Sequence, residues 1–239
     1  MQNDTPKQFR HELKYLLNYP DYQILKQRVK SFLKTDKNAQ PDGFYTIRSL
    51  YFDDYNNSAY YEKYQGVPYR QKYRVRIYNY SDRVIHLERK IKNDRYIFKE
   101  IAPLTRDQFQ AIMHGDVAFL LNTPYKLHQI FYYEYTTKFL RPRVIVDYER
   151  EPFVMEAGDV RVTFDRNIRS GMEDNDIFNE NMATIEALDP GKLVLEIKYT
   201  TFLPELVRML VTSYASEFLA VSKYVACCDQ TLHRQKIIN

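Results

Sequence analysis

The stretch YRQKYRVRIY, residues 69–78, alternates between cationic and uncharged side chains. Its cations occupy every second position and are Arg70, Lys72, Arg74 and Arg76. Because consecutive side chains of a β-strand point to opposite faces, the pattern predicts a strand with four cations on one face and an opposite face that includes Val75 and Ile77. The question is what a folded protein places against so much positive charge.

The same alternation recurs in four other predicted strands, where cations are mixed with carboxylates. The charged faces would carry His86, Glu88, Lys90 and Lys92 in 82–92, Arg10, Glu12 and Lys14 in 9–17, Arg161, Thr163 and Asp165 in 159–167, and Glu196 and Lys198 in 192–200. Two arrangements are compatible with this pattern. One is an antiparallel sheet whose polar face meets solvent, and the other is a barrel with a charged interior and helices packed against its apolar exterior.

The remaining segments predict an α+β protein with one antiparallel sheet. Further strands are expected at 44–54, 69–80, 95–105 and 141–150, and helices at 20–36, 58–65, 104–121, 124–137 and 204–229. The chain has 239 residues, of which 44% are hydrophobic. This length suits one sizeable core, and we expect residues 1–239 to form a single domain.

Positive charge is concentrated in one part of the chain. Residues 70–99 hold ten Lys or Arg and three Asp or Glu, although the net charge of the whole chain is only +4. Two like charges about 10 Å apart repel by roughly 1.7 kcal/mol at an effective dielectric constant of about 20, so a cationic interior favours a bound polyanion. A chain of phosphates suits arginine, which binds it in bidentate fashion. The carboxylates could then hold a divalent metal that bridges phosphate oxygens.

Several other kinds of site are disfavoured. The chain has neither a GxxxxGK[ST] phosphate loop nor an HExxH zinc motif. The spacing of Cys227 and Cys228 from His233 suits zinc poorly, and we expect buried thiols. Nucleic-acid binding is disfavoured because Glu88 and Glu196 interrupt the basic faces. The sequence shows no apolar run of membrane-spanning length and no signal-like start, which favours a soluble protein of a reducing compartment, most simply the cytoplasm.

Eight stretches, in order along the chain, resemble one known family. They are FRHELKYLL (9–17), SLYFDD (49–54), RQKYRVRIY (70–78), HLERK (86–90), YEREPF (148–153), VRVTFDRNIRS (160–170), VLEIKYT (194–200) and VSKYVA (221–226). Together they resemble the VTC-type polyphosphate polymerase domain of the triphosphate tunnel metalloenzyme superfamily. The resemblance implies an eight-stranded antiparallel β-barrel, open as a tunnel, with charged residues inside and helices packed outside.

The resemblance also implies an activity and a cofactor. The family's polymerases move the terminal phosphoryl group of ATP onto a growing polyphosphate chain, using Mn²⁺ or Mg²⁺. Nucleoside triphosphate and polyphosphate are therefore the expected partners, while the oligomeric state is left open.

Roles for individual residues follow from the same resemblance. The catalytic cations would be Arg74, Arg76, Lys90, Arg150 and Arg161. Substrate would be bound by Lys14, Lys72, Tyr148, Lys198, Ser222 and Lys223. Glu196 would bind the metal. The tunnel wall would include Glu12, His86 and Glu88.

Two alternative functions stay open at this point. The same tunnel could hydrolyse tripolyphosphate or a nucleoside triphosphate, or it could bind polyphosphate or a nucleotide without catalysis. The first strand reads HELKY, with one glutamate where hydrolytic and cyclase relatives carry a fuller ExExK, which weakens the triphosphatase interpretation. The presence of Glu196 together with Arg74 and Arg76 favours an enzyme over a binding module.

Overall fold

The computed structural model describes residues 11–94, 96–171, 176–212, 217–218 and 221–238. Its centre is an antiparallel sheet that curls into a half-barrel. The strands are β1 (His11–Asn18), β2 (Lys34–Thr35), β3 (Tyr45–Asp53), β4 (Tyr69–Tyr78), β5 (Ser81–Asn93), β6 (Tyr96–Leu104), β7 (Arg141–Met155), β8 (Val160–Gly171), β9 (Thr184–Glu186), β10 (Lys192–Tyr199) and β11 (Glu217–Phe218). Neighbours follow the order β11-β1-β10-β8-β7-β3-β4-β5-β6, with β2 beside β7 and β9 beside β8.

The predicted fold class is confirmed, since all eight predicted strands form and pair antiparallel. Strands β7 and β8 continue beyond the predicted ends at 150 and 167, to Met155 and Gly171. Strands β1 and β6, at or next to the two ends of this order, have no backbone pairing with each other in the described part of the chain. Instead the Lys90 ammonium of β5 lies 3.0 Å from the Glu12 carboxylate of β1, so an ion pair bridges two walls of the curl.

Helices account for much of the rest of the described chain. They are α1 (Tyr19–Phe32), α2 (Ser58–Tyr64), α3 (Arg106–Met113), α4 (Lys126–Thr137), α5 (Glu205–Thr212) and α6 (Lys223–Ile238), with 3₁₀ turns at Ala118–Asn122 and Ala157–Asp159. The Asn18 side chain caps α1, and a capping box of Thr105 and Gln108 begins α3. The predicted helix 104–121 is wrong in its extent, because Gly115 adopts a positive φ of 85° just after α3.

Two apolar clusters cover the convex face of the sheet. One joins Val75 and Leu87 to Phe109 of α3 and Phe131 of α4, and the other joins the apolar faces of β8 and β10 to α1 and α5. These helices pack outside the sheet, as the alternation of the strands predicts. The charged faces of the strands are therefore left on the concave side.

The C-terminal part differs from the prediction of one helix over 204–229, which is wrong. The chain forms α5, then the short strand β11, and then α6. Strand β11 pairs with β1 at Tyr15 and Leu16, which supplies backbone partners to a strand edge that would otherwise be open. Helix α6 lies against the concave face, where Tyr224 and Cys227 pack with apolar residues of β3, β7 and β10. Within the described residues, no helix is long and apolar enough to cross a membrane.

Candidate functional site

A cavity of about 340 Å³ lies between the concave face and the beginning of α6. Eleven Lys or Arg side chains and two glutamates line it. Twelve of the fifteen predicted site residues are brought together here, namely Glu12, Lys14, Lys72, Arg74, Arg76, Lys90, Tyr148, Arg150, Glu196, Lys198, Ser222 and Lys223. The alternation of β1, β4, β5 and β10 accounts for most of them, because the same face of each strand points inward.

The two arginines of β4 are held rigidly by their neighbours. Arg74 donates to the Glu88 carboxylate from Nε at 2.7 Å and to the Tyr51 hydroxyl from Nη1 at 2.7 Å. Arg76 donates to Ser49 Oγ at 3.0 Å and to the Tyr148 hydroxyl at 3.3 Å. These guanidinium groups are therefore oriented before any ligand arrives.

Glu88 lies behind these arginines rather than on the cavity surface, and only 1% of the residue is exposed. Lys99 of β6 adds a third contact, with Nζ 3.1 Å from the carboxylate. Burial opposes ionisation of Glu88, but the charges of Arg74, Arg76 and Lys99 outweigh it and hold its pKa well below the usual range. Glu88 therefore acts as a permanent anion beneath the cationic wall.

Charges alternate across the β1–β10 pair. Glu12 is paired in register with Lys198, and Lys14 with Glu196. Lys14 Nζ lies 2.8 Å from Glu12 and 3.7 Å from Glu196, and Lys198 contacts Glu196. Burial opposes ionisation of Glu12 and Glu196, but the positive charges of the surrounding lysines outweigh burial and hold the pKa of both carboxyl groups well below the usual range. Burial, aided by Lys14 and Lys198, lowers the pKa of Lys90 to about 8 despite its pairing with Glu12.

A fully buried carboxylate joins β7 to α6. Asp165 of β8 accepts two hydrogen bonds from Arg150, at 2.6 and 2.7 Å, and its other ion pair is with Lys223 Nζ at 2.6 Å. Burial opposes ionisation of Asp165, but Arg150 and Lys223 outweigh it and lower its pKa. Burial alone would raise the pKa of the Tyr148 phenol, but the positive charges of Arg150 and Arg76 outweigh burial and lower this pKa.

Helix α6 is seated by a second polar network that the sequence analysis missed. Tyr224 donates to Asp53 at the end of β3, and Asp53 also accepts from the backbone N–H groups of Ala59 at 2.9 Å and Tyr60 at 3.1 Å. The Tyr60 hydroxyl donates in turn to Asp229 of α6 at 2.6 Å. Asp53 thus holds α2 and α6 together at the cavity. Only the acidic, Asn-rich end of the predicted strand 44–54 indicated a turn there.

Three predicted residues lie off the cavity surface. Glu88 is beneath it, as described above. Arg161 lies on β8 beside Lys198, but its guanidinium contacts Asp36. His86 is opposite Arg76 in the β4–β5 register, and burial lowers its pKa. Its Nδ1 is buried, and we find no hydrogen-bond partner for it among the described residues.

Some predicted features cannot be placed or were overlooked. Arg10 and the side chain of His233 lie outside the described residues. Cys227 and Cys228 are free and buried, as predicted. Cavity residues to which the sequence assigned no role are Tyr51, Lys63, Arg70, Lys92, Ile97, Val221 and Tyr224. Of these, Arg70 and Lys92 continue the predicted charged faces of β4 and β5.

The carboxylates of the cavity suit a divalent metal that arrives with phosphates. Glu12 and Glu196 lie diagonally across the β1–β10 pair. Mg²⁺ usually takes one or two protein carboxylates and completes its shell with phosphate oxygens and water, so this donor set fits. In the described ranges no cluster of three or more His, Cys, Asp or Glu could hold a metal on its own.

Comparisons with known proteins agree with this architecture. The VTC domain family matches residues 9–232. A protein from Hippeastrum, described as a putative adenylyl cyclase with a dominant triphosphatase activity, superposes with a TM-score of 0.55 at 13% identity, covering 93% of this chain and 96% of that one. A putative adenylate cyclase from Bacillus halodurans gives 0.54 at 11% identity, over 90% and 95% of the two chains. The sequence matches no curated protein.

Proposed function

The chain belongs to the VTC domain family and has the triphosphate tunnel fold, and from this premise we propose that it is a polyphosphate polymerase. It transfers the terminal phosphoryl group of ATP to the end of a growing polyphosphate chain inside the cationic cavity, with Mn²⁺ or Mg²⁺ as the cofactor. The observation that carries the proposal is the pairing with cations of the two glutamates that line the cavity and of two further carboxylates buried beside it. Glu12, Glu88, Asp165 and Glu196 all lie in such ion pairs.

This pairing bears on the choice between transfer to phosphate and transfer to water. A carboxylate whose pKa is held well below its usual range is a weak general base, and the pKa of each of these four groups is lowered. A general base assists the attack of water on a phosphoryl group, whereas the end of a phosphate chain is already ionised near neutral pH and needs no such base. The arrangement therefore favours a phosphate acceptor.

The side chains supply positioning and charge neutralisation, which are the main needs of phosphoryl transfer. Arg74 and Arg76 bind the donor phosphates, with their guanidinium groups already oriented by Glu88 and Ser49. Lys90, Arg150 and Lys223 stabilise the negative charge on the transferring group. A divalent metal held by Glu196 and Glu12 would neutralise further charge on the phosphate oxygens. Lys14, Lys72, Tyr148, Lys198 and Ser222 complete the substrate-binding surface.

The alternative proposal is hydrolysis of tripolyphosphate or a nucleoside triphosphate in the same cavity. Its support is the fold shared with the Hippeastrum protein, which is described as a triphosphatase. A binding module without catalysis is a third possibility that the same experiment tests.

The partners and location follow from the same proposal. The eleven cations that line the cavity suit the phosphates of nucleoside triphosphate and polyphosphate, and a concave site between the sheet and α6 does not suit a nucleic-acid duplex. Free buried thiols at Cys227 and Cys228 and the use of ATP support the cytoplasm as the place of action.

The test is to incubate the purified protein with ATP and Mn²⁺, separate the products on a gel stained for polyphosphate, and assay free phosphate alongside. We expect the unmodified protein to give a ladder of polyphosphate chains, and we expect Glu196→Gln to abolish it. The control Glu156→Gln should leave the ladder intact, because the Glu156 side chain is 97% exposed. Free phosphate without a ladder would establish the hydrolase. Neither product, together with a rise in melting temperature on adding tripolyphosphate, would establish a binding module.

A further inference from the structure

Asp53 differs in its partners from the other buried carboxylates near the cavity. Glu12, Glu88, Asp165 and Glu196 are all in ion pairs. In contrast, no Lys, Arg or His nitrogen of the described residues lies within 4.0 Å of the Asp53 carboxylate, although only 4% of this residue is exposed. A buried carboxylate without a cation is costly unless hydrogen bonds compensate it. The groups that donate to Asp53 therefore indicate what it does.

Four donors converge on the two oxygens of Asp53. Oδ1 accepts from the backbone N–H groups of Asp54 and Ala59, both at 2.9 Å. Oδ2 accepts from the backbone N–H of Tyr60 at 3.1 Å and from the Tyr224 hydroxyl. An asparagine would turn an NH₂ group toward two of these donors, because only one of its two terminal atoms is an acceptor. The arrangement therefore requires both oxygens of a carboxylate.

Two of the four hydrogen bonds take the place of a side-chain cap on α2. The N-cap residue of this helix, Asn57, has a φ of 54° and makes no side-chain hydrogen bond to it. Asp53 satisfies the N–H groups of Ala59 and Tyr60, the second and third residues of α2, instead. Capping explains the contacts of Asp53 with α2 but not its bond with Tyr224 of α6.

Tyr224 connects Asp53 to the cations of the cavity. Its ring lies 4.9 Å from the ring of Tyr51, whose hydroxyl accepts from Arg74 at 2.7 Å. Lys72 Nζ lies 4.3 Å from the centre of the Tyr224 ring. Burial is the main reason that the pKa of the Tyr224 phenol is raised, so the hydroxyl stays protonated and donates to Asp53.

We propose that Asp53 is a positioning residue for the phosphate-binding cations, and that it acts through Tyr224. By holding the Tyr224 hydroxyl it fixes the start of α6, which carries Lys223. The ring held in this way keeps Lys72 and, through Tyr51, the Arg74 guanidinium in place. Asp53 itself does not line the cavity. The expected effect on turnover rests on the proposed function, while the expected effect on binding of tripolyphosphate does not.

The decisive variant is Tyr224→Phe, which keeps the ring and removes only the hydroxyl. The matched control Tyr133→Phe makes the same change on α4, where the side chain is 59% exposed and does not line the cavity. Asp53→Asn and the double variant complete a mutant cycle. Calorimetry gives the affinity for tripolyphosphate and the number of binding sites per chain. Turnover of ATP, counted as phosphate transferred to a chain or to water, is then expressed per binding site.

In Tyr224→Phe we expect as many binding sites as in the control and an affinity for tripolyphosphate that is roughly threefold to tenfold weaker. Turnover per site should fall by about tenfold or more, because transfer is sensitive to small displacements of the binding groups. In the Asp53→Asn background, Tyr224→Phe should have little further effect on either quantity.

A purely structural role would lower the number of binding sites or the melting temperature while affinity and turnover per site stay unchanged, and this result would overturn the proposal. Losses of affinity that add in the double variant would also overturn it, since the two residues would then act independently. If Asp53→Asn does not fold, the comparison of Tyr224→Phe with its control still decides. If the unmodified protein does not turn over ATP, the proposed function fails, and the affinities for tripolyphosphate still test the positioning role.

Discussion

Binding of polyphosphate should be accompanied by uptake of a proton at Lys72. Its ammonium group faces Lys63 and Arg70, which lower its pKa, and Asp53 and Cys228, which raise it, while the Tyr224 ring lies 4.3 Å away. Burial is the largest influence, and the resulting pKa is about 7. A phosphate chain placed beside Lys72 would favour the charged form and raise this pKa toward its ordinary value near 10.4.

The sign and size of the effect follow from this difference. Between the two pKa values the complex holds a proton that the free protein lacks, so the affinity must fall as the pH rises. With a free-state pKa of about 7, some nine-tenths of Lys72 is neutral at pH 8. About 0.9 proton should therefore be taken up at Lys72 on binding at that pH, and its contribution should weaken binding about tenfold, or ~1.4 kcal/mol, between pH 6 and pH 8.

Calorimetry in two buffers with different ionisation enthalpies measures this uptake directly. The comparison protein is Lys72→Arg, which keeps the charge but does not titrate in this range. Protons exchanged by the ligand itself, or by Lys90 and Lys99 with their pKa values near 8, contribute to both measurements and cancel in the difference. Equal proton uptake by the two proteins would refute the reasoning.

Two further predictions concern the framework of the site. Asp165→Asn should lower the free energy of unfolding by about 3–5 kcal/mol, since Arg150 and Lys223 would lose their buried anion. In chemical denaturation, tripolyphosphate should raise the unfolding free energy of this variant more than that of the unmodified protein. An equal rise for the two proteins would contradict the role of Asp165 in holding those cations. Gly158→Ala should be more destabilising than Gly191→Ala. Both glycines have a φ of 75°, but a new Cβ would collide with a neighbour, the backbone oxygen of Phe202, only at Gly158. Similar unfolding free energies for the two variants would show that this contact is relieved without cost.

The composition of the cavity was predictable because it depends on local alternation. Once residues 69–78 are recognised as a strand, Arg70, Lys72, Arg74 and Arg76 must share a face, and the apolar opposite face decides that the cations point away from the outer helices. The same reasoning placed Glu196 and Lys198 together. Alternation does not predict the residue at which a strand extends beyond the cavity.

The features that were missed depend on contacts between distant parts of the chain. Arg161 lies on the same face of β8 as Asp165, but β8 extends beyond the cavity at that point and the Arg161 guanidinium contacts Asp36. The break between α5 and α6 reflects pairing of β11 with β1, some two hundred residues earlier. Helical spacing over 204–229 contains no signal for such a partner, and tertiary pairing overrides local propensity there.

The ion pairs of the cavity cations match one requirement of the proposed phosphoryl transfer. Phosphoryl transfer depends on donors that are fixed before the substrate arrives, and Glu88 and Asp165 fix Arg74, Arg150 and Lys223 from beneath the surface. Buried anions at those positions also reduce the net attraction for phosphate. The guanidinium and ammonium groups are therefore held in a fixed orientation, and their affinity for phosphate is lower than it would be without these anions.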